Sequence, residues 1–185
     1  MGLKPFAVVS VDPGWLFDDA LPGKTRGAVK NYRCMKLEDI FRFPLPPLQD
    51  NAMLFLWRVS AMQEEALQVV RKWGFVPKSE IVWQKLTKNG KPHFGMGHYV
   101  RASHETAIIA VRGSVKLKSK SIRSRFAAKM PVDAAGRYIH SAKPDEFYRI
   151  VETLVAGPYA EVFARKRRPG WTVFGDEVPD ESRVL

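Results

Sequence analysis

The chain has 185 residues, 45% of them hydrophobic, so it is long enough for one domain with a substantial core and short for two. Its 30 Lys and Arg residues against 19 Asp and Glu residues give a formal charge of +11. This charge favours a polyanionic partner such as nucleic acid, although it carries no information about sequence preference. The single cysteine, Cys34, excludes a disulfide framework and a cysteine zinc site and is typical of a reducing cytoplasm.

The first predicted element is a short apolar strand, residues 8–11, that ends in Asp12-Pro13-Gly14-Trp15. An acid directly after a buried strand is held at the rim of a sheet, within reach of a ligand. Asp-Pro-Gly is also common in turns, so a plain turn is an alternative interpretation. Methylation of an adenine amine, a poor nucleophile, requires groups of this kind. The Asp12 carboxylate and the Pro13 carbonyl would hold the amine, and Trp15 would stack on the base.

A long loop rich in Gly, Pro and charge is predicted from Leu16 to Tyr32. In chain order, the next predicted elements are a short helix at 36–40, a rigid connector at 44–47, a strand at 52–57, a helix that starts at a Ser60–Gln63 capping box and ends near Trp73, and a strand at 80–84. Strand, helix and strand with short joins predict an α/β sheet with mostly parallel strands.

The second half continues with a loop at 85–100, a strand at 105–111, a basic segment at 116–125, a helix with Pro144 in its first turn that runs to Ala156, a strand at 161–165, a basic turn at 165–168 and a strand at 171–174. On an extended segment, Lys116, Lys118 and Lys120 would point to one side and form a basic stripe. A solvated loop is an equal alternative.

Six sequence blocks, taken in order, resemble one group of adenine N-6 methyltransferases. The blocks are Asp12–Trp15, Tyr32, Phe55–Trp57, Gly97–Glu105, His140–Glu146 and Arg168–Trp171. The group includes the catalytic subunit of the eukaryotic messenger-RNA adenosine methyltransferase and small bacterial and phage enzymes that modify DNA. The resemblance extends from about Val8 to Val178. It implies a Rossmann-like methyltransferase fold with S-adenosylmethionine as methyl donor, a single domain over 1–185, helices on both faces of one sheet, and a catalytic block that precedes the donor-binding block.

The resemblance also implies roles for individual residues. The catalytic motif is Asp12, Pro13, Gly14 and Trp15, and the substrate-binding residues are Tyr32, Tyr99, Arg101, Glu105 and Lys143. The donor-binding residues are Val11, Asp12, Lys143, Glu161, Phe163, Arg165, Asp176 and Glu177. The cations expected on the nucleic-acid backbone are Lys24, Arg26, Lys116, Lys118, Lys120, Arg167 and Arg168. No metal site is expected, because the four histidines are scattered.

Gly14 departs from the group's usual Asp-Pro-Pro-Trp motif. Its carbonyl can still point into the site, but the backbone freedom of glycine weakens preorganisation. From the resemblance, the expected function is transfer of a methyl group to the 6-amino group of adenine in DNA. The alternatives are an enzyme that acts on RNA and a catalytically silent module that only binds nucleic acid.

The expected setting is the cytoplasm of a bacterium or of a phage-infected host. No apolar run approaches about 18 residues, so no membrane-spanning segment is expected, and the amino end has no signal-peptide pattern. A homodimer or a partner subunit is left open, because no segment marks an interface.

Overall fold

A computed structural model describes residues 3–16, 34–97, 99–139 and 141–175. Within these ranges the elements are β1 (Phe6–Val11), α1 (Leu37–Arg42), β2 (Leu48–Arg58), a 3-10 helix (Ser60–Met62), α2 (Gln63–Lys72), β3 (Val76–Leu86), β4 (His104–Arg112), β5 (Arg125–Lys129), α3 (Asp145–Leu154), β6 (Tyr159–Val162) and β7 (Trp171–Phe174). None of the helices in this part of the chain is long and apolar enough to cross a membrane.

The strands of the described ranges form one sheet in the order β5-β3-β4-β2-β1-β6-β7. Parallel pairing joins β1 to β2, β1 to β6, β3 to β5 and β6 to β7. This confirms the predicted α/β fold with mostly parallel strands. The exception is β4, which runs antiparallel to both β2 and β3. As a result, β4 begins at the edge of the sheet where its neighbours end.

Helices cover both faces of the sheet, as predicted. Side chains of a strand alternate between the two faces, so successive residues of β1 enter different clusters. Val9 packs in a cluster with Ile40 of α1 and with residues of α2. Val8 packs in a second cluster with Phe147 and its neighbours on α3. The central strand β1 is therefore buried on both sides, and its carboxyl end is held in place.

Several predicted boundaries differ from the structure. The capping box at Ser60 is wrong, because a 3-10 helix occupies Ser60–Met62 and the N-cap of α2 is Met62, with no side-chain cap bond. Pro144 is the N-cap of α3 rather than part of its first turn, and α3 ends at Leu154. Strand β6 lies at 159–162 instead of 161–165. Strand β5 was not predicted.

Candidate active site

The crevice beside the carboxyl end of β1 is where this sheet is best placed to bind a ligand. Strand β1 lies between β2 and β6. The strands β2 to β5 lie on one side of β1, and the last strands of the chain, β6 and β7, lie on the other side. In open α/β sheets ligands bind at such a switch point, outside the carboxyl ends of the strands. Asp12 follows β1 directly, and its N–H donates a hydrogen bond of 3.4 Å to the Val162 carbonyl of β6. The backbone therefore fixes Asp12 at the crevice.

Four charged side chains form a continuous chain at this edge. Lys143 Nζ donates to Asp12 Oδ2 at 2.5 Å and lies 3.2 Å from Glu105 Oε2. Glu105 also forms an ion pair with Lys85, which lies near the end of β3. Lys143 is only 4% exposed, whereas Asp12 and Glu105 are 21% and 26% exposed. The antiparallel course of β4 explains the cluster, because it brings Glu105, at the start of β4, to the edge where β1 and β3 end.

The pKa values of the two acids differ because their neighbours differ. Burial raises the pKa of Asp12, Lys143 offsets this only in part, and the charge of Glu105 adds to the rise. Burial also acts to raise the pKa of Glu105, but Lys143 and Lys85 outweigh it and lower that pKa to about 2. Glu105 therefore stays ionised, and Asp12 has the higher affinity for a proton.

Lys143 is held as a buried cation. Burial acts to lower the pKa of its ammonium, but the carboxylates of Asp12 and Glu105 outweigh burial and hold that pKa above its usual value. Its Nζ also donates to the Ser141 carbonyl at 2.9 Å and lies 5.0 Å from the centre of the Trp57 ring. These contacts leave the ammonium little freedom, so it orients the Asp12 carboxylate.

A pocket adjoins this cluster. It is lined by Asp12, Ser141, Ala142, Lys143, Tyr148, Glu161, Phe163, Arg165 and Lys166. The structure therefore brings together five predicted donor-binding residues, namely Asp12, Lys143, Glu161, Phe163 and Arg165. Val11 is fully buried in β1 and does not line the pocket, so only its backbone is available for the predicted role.

The backbone is strained on two sides of this pocket. Ser141 and Phe163 have φ values of 58° and 62°, and they are the non-glycine residues with positive φ in the described ranges. This left-handed conformation is unfavourable for residues with a Cβ, and such strain concentrates at functional sites. The position of both residues on one pocket supports a binding role for it.

Tyr148 and Glu161 are hydrogen-bonded to each other in the lining of the pocket. The Tyr148 hydroxyl donates to Glu161 Oε1 at 2.6 Å. Burial and the nearby Glu161 charge raise the Tyr148 pKa well above its usual value, so this donor keeps its proton. Burial is also the main cause of the raised pKa of Glu161.

The interpretation of Arg168 as a contact to the nucleic-acid backbone is wrong for this structure. Its guanidinium lies 3.5 Å from the centre of the Tyr148 ring and 2.9 Å from Asp145 Oδ1, and its side chain is 12% exposed. Arg168 therefore anchors the turn before β7 to α3. Arg167 is exposed, and its predicted contact stays a prediction.

Two expectations for the catalytic motif are also wrong in this conformation. The Gly14 carbonyl does not point freely into the site, because it accepts a hydrogen bond of 2.7 Å from the Met35 N–H. Trp15 offers no open face to a base, since it is 3% exposed and its indole N–H donates to the Trp57 carbonyl at 2.9 Å. Pro13 is buried beside Asp12, and its predicted role stays a prediction.

The predicted substrate contacts lie in different places. Glu105 belongs to the charged chain described above, whereas Tyr99 and Arg101 lie on the exposed loop between β3 and β4. The roles of Tyr99 and Arg101 stay predictions. The predicted residues Lys24, Arg26, Tyr32, Asp176 and Glu177 lie outside the described residues.

Lys116, Lys118 and Lys120 are exposed, but they lie at the opposite edge of the sheet from Asp12, between the end of β4 and the start of β5. The Lys118 ammonium donates to the Glu152 carbonyl in the last turn of α3 at 2.7 Å. The segment does not form a regular strand, so the condition for a one-sided stripe is not met.

Five site residues were not anticipated, namely Lys85, Ser141, Ala142, Tyr148 and Lys166. Lys85 was assigned to a loop, and the other four carried no role. Ser141 adjoins Lys143 within the His140–Glu146 block, so the block itself could have indicated it. Lys85 and Tyr148 depend on partners distant in the sequence, which no local pattern reveals. In the described part of the chain, no group of three or more His, Cys, Asp or Glu side chains could hold a metal ion.

Comparison with known proteins finds relatives that are named as methyltransferases. It is 27% identical to the human N(6)-adenosine-methyltransferase catalytic subunit METTL3, over 95% of this chain and 29% of that protein. It is 26% identical to the Drosophila melanogaster N(6)-adenosine-methyltransferase MT-A70-like protein, over 95% of this chain and 27% of that protein. The type II methyltransferase M.MunI of a Mycoplasma species is 24% identical, over 96% of this chain and 79% of that protein.

The chain thus spans less than a third of the two MT-A70-type relatives and most of the type II methyltransferase. The family model that describes MT-A70 matches residues 6–177, which include β1 to β7 and every residue of the charged cluster. The chain therefore belongs to the MT-A70 family.

Proposed function

We propose that this protein transfers a methyl group from S-adenosylmethionine to the exocyclic N6 amine of adenine in DNA. The observation that carries the proposal is the contact between Asp12 and Lys143 at the switch point of the sheet, beside a pocket that also contains Glu161. Each residue of this contact lies in a block that resembles adenine methyltransferases, Asp12 in Asp12–Trp15 and Lys143 in His140–Glu146.

S-Adenosylmethionine is the methyl donor of MT-A70 methyltransferases, and the pocket fits it chemically. Glu161 would supply a carboxylate for the ribose hydroxyls, and the negative charge of Asp12 would favour the positively charged groups of the donor. Phe163 supplies an apolar ring next to them. When bound, S-adenosylmethionine supplies a methyl group activated by a positively charged sulfur.

The residues of the chain would act mainly by orienting the amine. Lys143 holds Asp12 Oδ2, which leaves Oδ1 as the acceptor for an N–H of the amine among the contacts of the described residues. Transfer of the methyl group would break its bond to the sulfur of the donor, which keeps the electron pair, and form a bond to the amine nitrogen. The amine would then carry a positive charge and must lose a proton. The raised pKa of Asp12 makes its carboxylate the better proton acceptor of the two acids in the cluster. Positioning of this kind can supply much of the rate acceleration.

DNA is favoured over RNA by the similarity to enzymes that modify DNA. The chain covers 79% of the type II methyltransferase, and the resemblance includes small bacterial and phage enzymes that modify DNA. The second candidate is an RNA adenine methyltransferase, which the 27% identity to the human N(6)-adenosine-methyltransferase favours. With DNA duplex as substrate, the target adenine must leave the base stack before its amine can reach Asp12.

The test is transfer of a labelled methyl group from S-adenosylmethionine to matched DNA and RNA oligonucleotides with and without adenine, followed by nucleoside mass spectrometry. We expect N6-methyladenine in adenine-containing DNA. Methylation of RNA alone would replace the proposal by the second candidate. Donor binding without transfer to either polymer would overturn the catalytic function and favour the silent binding module.

A matched pair of variants tests the role of Asp12. Asp12→Asn keeps the shape of the side chain but removes the carboxylate, so methyl transfer should fall by about a hundredfold or more. The control is Asp39→Asn, a change at an exposed acid on α1. Normal turnover of Asp12→Asn would contradict the assignment.

A further inference from the structure

The positive charge of the chain is concentrated in one part of its sequence. Residues 81–132 contain eleven Lys and Arg residues and one acid, Glu105, so they carry +10 of the total +11. The rest of the chain has 19 basic and 18 acidic residues and is close to neutral. An imbalance of this size in one segment indicates a function other than solubility.

The fold places this segment at one end of the sheet, where β5, β3 and β4 are neighbours. Phe126 of β5 packs toward α3, and Ala128 lies in the same cluster. Arg125 and Lys129 are exposed and share the opposite side of this edge strand, and Arg123, which is also exposed, precedes the strand. We call these three residues the basic face. At about 3.3 Å per residue, the part of the basic face on β5 extends for about 13 Å.

The loop between β3 and β4 carries a second unusual surface. The Gly95 N–H donates to the Ala102 carbonyl at 3.0 Å and closes the loop into a hairpin. Phe94, Met96, Tyr99 and Val100 at this hairpin tip are 69%, 80%, 101% and 77% exposed. Arg101 lies 5.4 Å from the Phe94 ring centre. Clustered exposed apolar side chains of this kind mark a binding surface.

Both surfaces reach the edge of the sheet that holds Asp12. The hairpin joins the carboxyl end of β3 to the amino end of β4, and both lie at this edge. The parallel partner β5 starts at the opposite edge and ends at this one, where Lys129 is paired in register with Leu86. A strand of nucleic acid that follows the basic face toward Lys129 would therefore reach the hairpin, at the same edge of the sheet as Asp12.

We propose that the basic face and the hairpin tip form the docking surface for an unpaired DNA strand next to the target adenine. Cations along a groove bind successive phosphates, and aromatic rings stack on bases of any sequence, which is the combination that single strands require. No Asp or Glu occurs from residue 86 to 104, so the hairpin repels no phosphate. The inference rests on the proposed function, because it places the strand relative to Asp12.

The first experiment measures equilibrium binding of a fluorescent single-stranded DNA by anisotropy, without donor, at about 50 to 200 mM salt. The variant Arg123→Gln/Arg125→Gln/Lys129→Gln removes the basic face. The matched control Lys4→Gln/Arg71→Gln/Lys72→Gln removes the same charge from exposed residues elsewhere. Loss of three phosphate contacts should reduce the slope of log K against log salt by about 2, and the control should leave the slope unchanged.

The second experiment tests the hairpin with the same DNA. Tyr99→Ala should weaken binding by about fivefold or more, and Tyr99→Phe should retain it, because only the ring is needed for stacking. Equal losses in both triple variants, or normal binding of Tyr99→Ala, would overturn the docking surface. A change in sedimentation of the Tyr99→Ala protein with unchanged DNA binding would instead assign the hairpin to a protein partner.

The outcomes separate the two proposals, since binding is measured without turnover. DNA methylation that is normal in the triple variant would overturn the docking surface and leave the proposed function intact. Salt-sensitive DNA binding that depends on the basic face, in a protein that methylates no polymer, would support the docking surface and overturn the proposed function.

Discussion

The charged cluster around Lys143 and the basic face of β5 use charge in opposite ways. In the cluster, Asp12, Lys143, Glu105 and Lys85 sum to zero and are fixed against one another by short contacts. On the basic face, three cations of one sign are exposed to solvent. Interactions of exposed charges are screened by salt, and those of buried charges much less. The cluster is suited to fixed geometry, and the basic face to attraction that depends on ionic strength.

Among the predicted changes, removal of the Lys143 cation should have the largest effect on stability. Lys143→Ala leaves two carboxylates close together without their shared ammonium, and breaking a buried pair in this way costs about 3–5 kcal/mol. The free energy of unfolding, measured by urea denaturation near neutral pH, should fall by that amount. Lys129→Ala, on the exposed basic face, is the control and should change stability little. Equal stability of the two variants would contradict the distinction between the fixed charges of the cluster and the exposed charges of the basic face.

The next effect concerns Glu105 and acid stability. Its pKa is lowered from 4.5 to about 2 in the folded protein. A lowered folded-state pKa contributes stability that is present above the unfolded value and is lost as the pH falls through the folded value, here from about 4.5 to about 2. Glu105→Gln should therefore be less stable than the wild type at neutral pH, and the difference should shrink across this window.

The measurement is urea denaturation of both proteins at several pH values. The Glu105 charge raises the pKa of Asp12, so the variant also lowers the Asp12 pKa, and the difference between the two curves reports on both acids. A constant difference between the two proteins down to pH 2 would show that Glu105 is not stabilised by its two lysines.

The smallest effect concerns a lysine that belongs to the basic segment but not to the basic face. Lys118 donates to a carbonyl in the last turn of α3, so Lys118→Gln should cost only about 0.3–1 kcal/mol. It lies at the opposite edge of the sheet from Asp12, so binding of single-stranded DNA should stay close to that of the wild type. Thermal unfolding measures the change in stability, and fluorescence anisotropy measures the binding of single-stranded DNA. A large loss of binding would extend the docking surface to the edge that holds Lys118.

Local sequence patterns predicted most of the architecture. The apolar runs of β1, β2 and β4 mark buried strands, and they were predicted at nearly correct positions. The helices α2 and α3 were also predicted near their observed positions, from capping and turn residues such as Pro144. Strand β5 was not, because it has five residues with one large apolar side chain, Phe126, and it depends on pairing with β3. Pairing between segments distant in sequence leaves no local periodicity.

In the candidate site too, residues within local motifs were predicted, and a residue that depends on a distant partner was not. Asp12, Glu105, Lys143 and Glu161 were identified through motifs, whereas Lys85 was not, because its role is set by a partner on another strand. The direction of β4 was not predicted either. A parallel β4 would have placed Glu105 near the opposite edge of the sheet, about 20 Å from its present position for a strand of nine residues.

The contact between Asp12 and Lys143 joins residues that are 131 positions apart in the sequence. During synthesis, β1 to β5 are complete before Lys143 is added to the chain. Fragments that end before α3 therefore carry Asp12 and Glu105 without their common cation, and they lack the contact that orients the Asp12 carboxylate.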